Sequence, residues 1–232
     1  MKHPGKNLRA VIFDLDGTLI DTADDFVPAV QQLRAENHRP PMDEARIRRS
    51  VSNGSRALVH LALDLSEEAP AFESQRQRLL VLYSDLLGHY AQPYPGIREL
   101  LAELHARGIA WGIATNKPRI YTLPLLDTLD LRPAAQSVVC PEDVSQTKPH
   151  PECLQIACRE LRCAPSEAIY VGDHVRDIEA GRRAAMHTVA AAYGYIESDD
   201  DPAAWGADAR AATSADLHNL LLSDELQEIY DD

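Results

Sequence analysis

Lysine is nearly missing from this chain of 232 residues: only Lys2, Lys6, Lys117 and Lys148 stand against 19 arginines. Cations are few altogether, with 23 Lys and Arg facing 36 Asp and Glu and a formal net charge of −13. A surface that acidic argues against nucleic acid and anionic membranes as partners. No apolar run is long enough to span a bilayer. Near the N-terminus, Val11 to Phe13 is cut off by Asp14 and Asp16 before a signal-peptide core can form, so the expected compartment is the cytoplasm. The cysteines, Cys140, Cys153, Cys158 and Cys163, are separated by 12, 4 and 4 residues and lack the paired CxxC pattern of zinc sites. They read as reduced thiols, Cys158 on the apolar stripe of a helix with Leu154, Ala157 and Leu161. With 45% hydrophobic and 25% charged residues, the composition excludes disordered, collagen-like and disulfide-scaffold chains.

What is present alternates. Short apolar runs at Leu8 to Phe13, Ile109 to Ala114, Gln136 to Cys140, Ala168 to Val171 and Thr188 to Ala192 read as buried strands. Helical stripes lie between them, one formed by Ile97, Leu100, Leu101 and Leu104. Strands alternating with helices predict an α/β fold with a parallel sheet, whose ligand site lies at the carboxyl ends of the strands. From Thr22 to Gln92 the alternation stops, and helices are expected over Ala23 to Glu36, Glu44 to Leu63 and Ala71 to Tyr90. This predicts an all-helical domain of residues 22–92 inserted into a core domain of residues 1–21 and 93–232, with hinges at Leu19 to Thr22 and Gln92 to Gly96.

Four polar clusters each follow a strand or open a helix. Asp14-Leu15-Asp16-Gly17-Thr18 sets two carboxylates two residues apart beside a glycine turn, the outline of a hard-cation site. A calcium loop is the wrong reading, because Leu19 stands where its glycine belongs. Thr115-Asn116-Lys117-Pro118 offers a hydroxyl and an amide for a phosphoryl oxygen, or alternatively a helix cap. Lys148, between Thr147 and Pro149, can offset crowded anionic charge or be a surface lysine. In Gly172-Asp173-His174-Val175-Arg176-Asp177 two carboxylates fall one helical turn apart near a helix start, where acids also complement the helix dipole. His174 reads as a surface or capping contact. All four clusters converge on one rim of a parallel sheet, which makes separate coincidences a poor account of them.

These clusters resemble the four motifs of the haloacid dehalogenase-like hydrolase superfamily, and the helical insertion sits where that family carries its type 1 cap. The resemblance spans essentially the whole chain. It implies a Rossmann-like core, a mobile helical cap and one Mg²⁺. By it, Asp14 would attack phosphorus and carry an aspartyl-phosphate, and Asp16 would act as general acid and base. Mg²⁺ would be held by Asp14, the Asp16 carbonyl and Asp173, while Thr115, Asn116 and Lys148 would bind the phosphoryl oxygens. Asp177 would support Lys148 or a metal-bound water. Within the superfamily the chain is similar to the phosphoglycolate phosphatase group. It is closer to the bacterial N-acetylmuramic acid 6-phosphate phosphatases through TNKP, CPEDV, Tyr193 to Ile196 and Trp205 to Asp208. Those late segments are expected to lie outside the chemistry. The implied partner is a small phosphorylated metabolite met by a monomer or homodimer, and a phosphosugar mutase is the alternative in the same superfamily. The cap loop Ser52-Asn53-Gly54-Ser55-Arg56 is the expected specificity element, with Asn53, Gly54 and Arg56 its candidate residues and Arg56 either pairing a substrate carboxylate or standing as a solvated helix arginine. Lys117 is left as a rim contact.

Overall fold

The protein is described here from a computed structural model that covers residues 8–132 and 134–222. In chain order, β1 (Ala10–Phe13) leads to a two-residue strand β2 (Ile20–Asp21) and four helices: α1 (Ala23–Glu36), α2 (Glu44–Arg49), α3 (Gly54–Leu63) and α4 (Phe72–Leu86). The chain continues through β3 (Gln92–Pro93), α5 (Ile97–Ala106), β4 (Ala110–Ala114), α6 (Arg119–Thr128), β5 (Val138–Val139), α7 (Glu152–Leu161) and β6 (Ala168–Gly172). It closes with α8 (Val175–Arg183), β7 (His187–Ala191), β8 (Ala209–Ala211) and α9 (Ser214–Leu222).

Six strands form one parallel sheet in the order β5-β4-β1-β6-β7-β8. Its strands read as unbroken apolar runs because both faces are covered. Val11, Phe13, Trp111, Ile113, Ile169 and Val171 face a core shared with α5, α6 and α9, while Ala10, Ile12, Val139 and Tyr170 face α7 and α8. Adjacent residues on a strand point to opposite faces, so one short run serves two cores. β8 lies beyond the sequence expectation, since Ala209 to Ala211 is too short and too polar at Arg210 to read as a strand.

A separate apolar cluster joins α1 to α4 around Phe26, Leu33, Leu58, Leu79 and Tyr83. The chain enters and leaves this helical segment through β2 and β3, which pair antiparallel with Ile20 opposite Pro93. Asp25, fully buried in the first turn of α1, accepts hydrogen bonds from the Gly88, Tyr90 and Ala91 amides at 2.7, 2.8 and 3.0 Å and ties the exit to the start. The single helix expected from Glu44 to Leu63 is two helices. It breaks at Ser50 to Gly54, where Gly54 takes φ of 78° and a short 3₁₀ turn spans Val51–Asn53. Ser50 and Asn53 side chains instead reach Glu197 at 3.0 and 2.8 Å, a contact that helical periodicity could not foresee.

Candidate active site

Strand register assembles the site. Phe13 lies level with Ile113 on one side and Val171 on the other, so the residues after three adjacent strands emerge together on one rim. Asp14 extends β1 by one bond, its amide donating to the Val171 carbonyl at 2.8 Å. Its Oδ1 accepts from the Leu15 amide at 2.7 Å and lies 2.9 Å from Lys148 Nζ. Burial raises the Asp14 pKa, Lys148 opposes the rise and the charge of Asp177 adds to it.

Lys148 is a buried hub. Its ammonium reaches Asp14, Asp177 at 2.7 Å, the Tyr170 hydroxyl at 2.8 Å and the Ala114 carbonyl at 3.1 Å. Burial pulls its pKa down, but the Asp14 and Asp177 carboxylates more than offset this and the net displacement is upward, so it stays a cation. Asp177 is fully engaged: Oδ1 takes Lys148 and Tyr170, and Oδ2 accepts from the His174 amide at 3.1 Å. His174 caps α8, its Nδ1 accepting from the Arg176 amide at 3.2 Å.

Asn116 does something other than expected. Its side-chain amide pairs with both main-chain groups of Lys148, donating to the carbonyl at 3.2 Å and accepting from the amide at 3.1 Å. It braces the lysine with Oδ1 and one of its two amide hydrogens, while lining the cavity. Thr115 is buried beside it and its hydroxyl accepts from the Lys117 amide at 3.1 Å, which leaves the hydroxyl proton for a ligand.

Asp173 is 1% exposed and accepts from Thr18 Oγ1 at 3.4 Å, the Tyr195 amide at 2.9 Å and, from the helical segment, Ser52 Oγ at 3.1 Å. Burial and the charges of Asp14 and Asp177 push its pKa up to about 8. Oxygens of Asp14, Asp173 and Asp177 lie within 4.8 Å of one another. Three buried carboxylates against the single ammonium of Lys148 leave negative charge uncompensated, and oxygen donors of this kind suit a hard divalent cation. Asp177 has both oxygens engaged by Lys148, Tyr170 and the His174 amide, so a cation there could be met chiefly by Asp14 and Asp173.

Asp16 faces a second lysine. Lys117 Nζ lies 3.0 and 3.2 Å from its two carboxylate oxygens, and Thr22 Oγ1 donates to it at 2.7 Å. Far from being a loose rim contact, Lys117 is buried, 4.7 Å from the Tyr83 ring centre and 5.2 Å from that of Phe26. Burial lowers its pKa, yet Asp16 and Tyr83 carry it above its ordinary value. Phe26 and Tyr83 stack with centroids 3.8 Å apart, so this ammonium sits against an aromatic pair of the helical segment.

A cavity of about 290 Å³ opens over Asp14, Asp16 and Thr115, walled by Phe26, Tyr83 and Tyr121 and by the Val51 to Ser55 loop. Asn53 and Gly54 line it; Arg56 does not. The Arg56 guanidinium is more than half exposed and pairs with Glu67 at 2.6 Å, because its place in the first turn of α3 turns it to the surface. The arginines in the wall are Arg76 and Arg176. The late segment from Tyr193 to Ile196 is also closer to the chemistry than expected. Tyr195 joins Asp173 through its amide, accepts from the Ala23 amide and donates to Asp21, both at 2.8 Å, and Tyr193 donates to the Thr18 carbonyl at 2.9 Å. Scarcity of lysine and the TNKP motif pointed to Lys117; the loop from Ser52 and the segment from Tyr193 to Ile196 were legible as features, but not their contacts to Asp173.

The family model for haloacid dehalogenase-like hydrolases matches residues 11–191, from the strand before Asp14 to the end of β7. An N-acetylmuramic acid 6-phosphate phosphatase of Pseudomonas aeruginosa is 45% identical over 201 residues, covering 87% of this chain and 89% of that protein. A phosphoglycolate phosphatase of Xanthomonas campestris is 39% identical over 200 residues, covering 86% and 90%. Among solved structures, one described as a predicted phosphoglycolate phosphatase from Haemophilus somnus shares the fold with a TM-score of 0.81 at 24% identity, over 94% of this chain and 100% of that one. A buried carboxylate and lysine on the rim of such a sheet, in a chain whose relatives are phosphatases, make this a phosphoric monoester hydrolase. The chain belongs to the haloacid dehalogenase-like hydrolase family.

Proposed function

We propose that this enzyme releases inorganic phosphate from N-acetylmuramic acid 6-phosphate, a sugar phosphate bearing a carboxylate, in two displacements at Asp14. The observation that carries the reading is the buried Asp14 carboxylate held 2.9 Å from Lys148 beneath a cavity large enough for a sugar ring. Substrate choice leans on the relatives: the protein at 45% identity acts on that sugar phosphate, as its name states. The Xanthomonas relative favours 2-phosphoglycolate as the second reading, although so small an acid would leave much of the cavity to solvent.

With Oδ1 of Asp14 occupied by Leu15 and Lys148, Oδ2 is the attacking atom. It bonds to phosphorus, the bond from phosphorus to the sugar oxygen breaks, and the leaving alkoxide takes a proton from Asp16. Asp16, now a carboxylate, then accepts a proton from water as the water oxygen attacks phosphorus. The bond to Asp14 breaks and phosphate departs. Lys148 and the Thr115 hydroxyl neutralise and orient the phosphoryl oxygens, and Asn116 keeps the Lys148 backbone in place. Asp14, Asp173 and the Asp16 carbonyl would hold Mg²⁺, which would supply further positive charge at the phosphoryl oxygens. Residues 22–92 act as a cap on the core of residues 1–21 and 93–232, with the β2 and β3 ribbon as its hinge. The reaction belongs in the cytoplasm, where the four cysteines, all free of disulfides, stay reduced.

The test is phosphate release from N-acetylmuramic acid 6-phosphate, 2-phosphoglycolate and common hexose phosphates, with and without Mg²⁺, in wild type and Asp14→Asn. The expected result is Mg²⁺-dependent release, fastest with the first substrate and lower in Asp14→Asn by on the order of 10³-fold or more. Isomerisation of a sugar phosphate without phosphate release would instead identify a mutase, and wild-type rates in Asp14→Asn would remove Asp14 as nucleophile.

A further inference from the structure

Among the described residues, the buried Lys148 and all but one of the cationic side chains that line the cavity already have an acid. Lys148 sits between Asp14 and Asp177, Lys117 on Asp16, and Arg76 is held by Glu73 through Nε at 2.9 Å and Nη2 at 2.6 Å. Arg176 pairs with no carboxylate among the described residues. Its Nη2 donates to the main-chain carbonyl of Ser52, and its Nε is shut off from solvent with no hydrogen-bond partner. A guanidinium that spends one donor on a neutral carbonyl and leaves another buried and idle is costly unless something fills the gap. This one lines the cavity above Asp14 and Asp16. Arg176 and Asp177 are adjacent on α8 and so point about 100° apart, which lets Asp177 turn to Lys148 while Arg176 reaches the Ser52 loop.

We propose that Arg176 is the specificity-determining residue that binds the carboxylate of the substrate, the anionic group that is not transferred. The inference rests on the reading of the site as a phosphomonoesterase. Phosphate would be met by Lys148 and by any cation held on the carboxylates, so a second anion entering the same acidic site needs a cation of its own. A guanidinium presents two parallel N–H donors to a carboxylate, a match that an ammonium cannot reproduce. Arg56, committed to Glu67 outside the cavity, is not available for the task.

The experiment uses the full-length enzyme with Mg²⁺ and two substrate pairs that differ by a carboxylate. These are N-acetylmuramic acid 6-phosphate against N-acetylglucosamine 6-phosphate, and 2-phosphoglycolate against 2-hydroxyethyl phosphate. For Arg176→Gln, the ratio of kcat/KM for the carboxylate-bearing member to that for its partner falls at least tenfold in the pair the wild type prefers, mostly through KM. Arg176→Lys recovers part of that loss. An equal fall for both members, leaving the ratio within twofold of wild type, overturns the proposal and reduces Arg176 to a tie between α8 and the Ser52 loop. Should Arg176→Gln fail to fold, Arg176→Lys alone decides by the same ratio. Wild-type enzyme that releases phosphate from none of the four overturns the underlying reading of the site, and this proposal with it.

Discussion

Asp173 illustrates how single residues are placed by what is missing beside them. A β-carbon on Gly194 would lie 2.3 Å from Asp173 Cβ and 2.4 Å from the Gly17 carbonyl, and one on Gly17, at φ of +77°, would lie 2.1 Å from Asp173 Oδ2. Only glycine lets these backbones close around the carboxylate. Gly194→Ala must therefore displace Asp173, and the Mg²⁺ concentration for half-maximal phosphate release is expected to rise about 10–100-fold, as found when supports of metal ligands are lost. A Mg²⁺ titration matching wild type would show that Asp173 holds no cation. The thiols make a second residue-scale case. Burial pushes Cys153 up to about 11 and Cys158 up to about 12, and both side chains are enclosed. Neither will be alkylated by iodoacetamide in the native protein at neutral pH, while both will react after unfolding, as peptide mass spectrometry can read.

At the scale of elements, the helical segment is stitched by contacts between its own helices and by a few that reach the sheet. Arg78 on α4 binds Glu36 at the end of α1 through Nε at 2.8 Å and Nη2 at 2.7 Å. These hydrogen bonds hold the Glu36 pKa at about 2, below its ordinary value of 4.5. A carboxylate depressed in the folded state contributes its stability above the unfolded pKa and loses it as pH falls toward the folded one. Wild type should thus lose more thermal stability than Glu36→Gln between pH 4.5 and 2, by a small margin because the pair lies on the surface. Parallel melting-temperature curves for the two proteins would count against the pair. The break between α2 and α3 has a different purpose: it carries Ser52 to Asp173 at 3.1 Å and turns the loop over the cavity.

Across the whole molecule, charge is balanced locally rather than globally. A net charge of −13 does not prevent an acidic protein from taking an anionic substrate when the cations it has are buried at the site. Both internal lysines are there, each on a carboxylate proposed for the chemistry. The cluster of Asp14, Asp173 and Asp177 is still short of positive charge, so a divalent cation should stabilise the fold as well as serve the reaction. At a hundredfold excess over its Kd, Mg²⁺ is expected to add about 2.7 kcal/mol, or roughly 5–10 °C in Tm for a chain of this size. Differential scanning calorimetry with Mg²⁺ and with EDTA measures it. Asp173→Asn should abolish the difference, and a Tm indifferent to Mg²⁺ in wild type would refute the site.

Sequence alone determined the strands after which the reactive groups stand, because a strand buried on both faces has to be apolar along its length and a parallel sheet has to gather its carboxyl ends on one side. Asp14, Thr115, Lys148 and Asp173 were therefore legible as one site from local patterns, with the family resemblance adding their roles. Only the tertiary structure decided how the remaining groups are used. Asn116 turned out to brace Lys148, Lys117 to grip Asp16 against Phe26 and Tyr83, Arg56 to face solvent, and Arg176 to stand in the cavity wall without an acid among the described residues. Each of these depends on a partner dozens of residues away or on the direction of one side chain on a helix, and periodicity in the sequence carries no information about either.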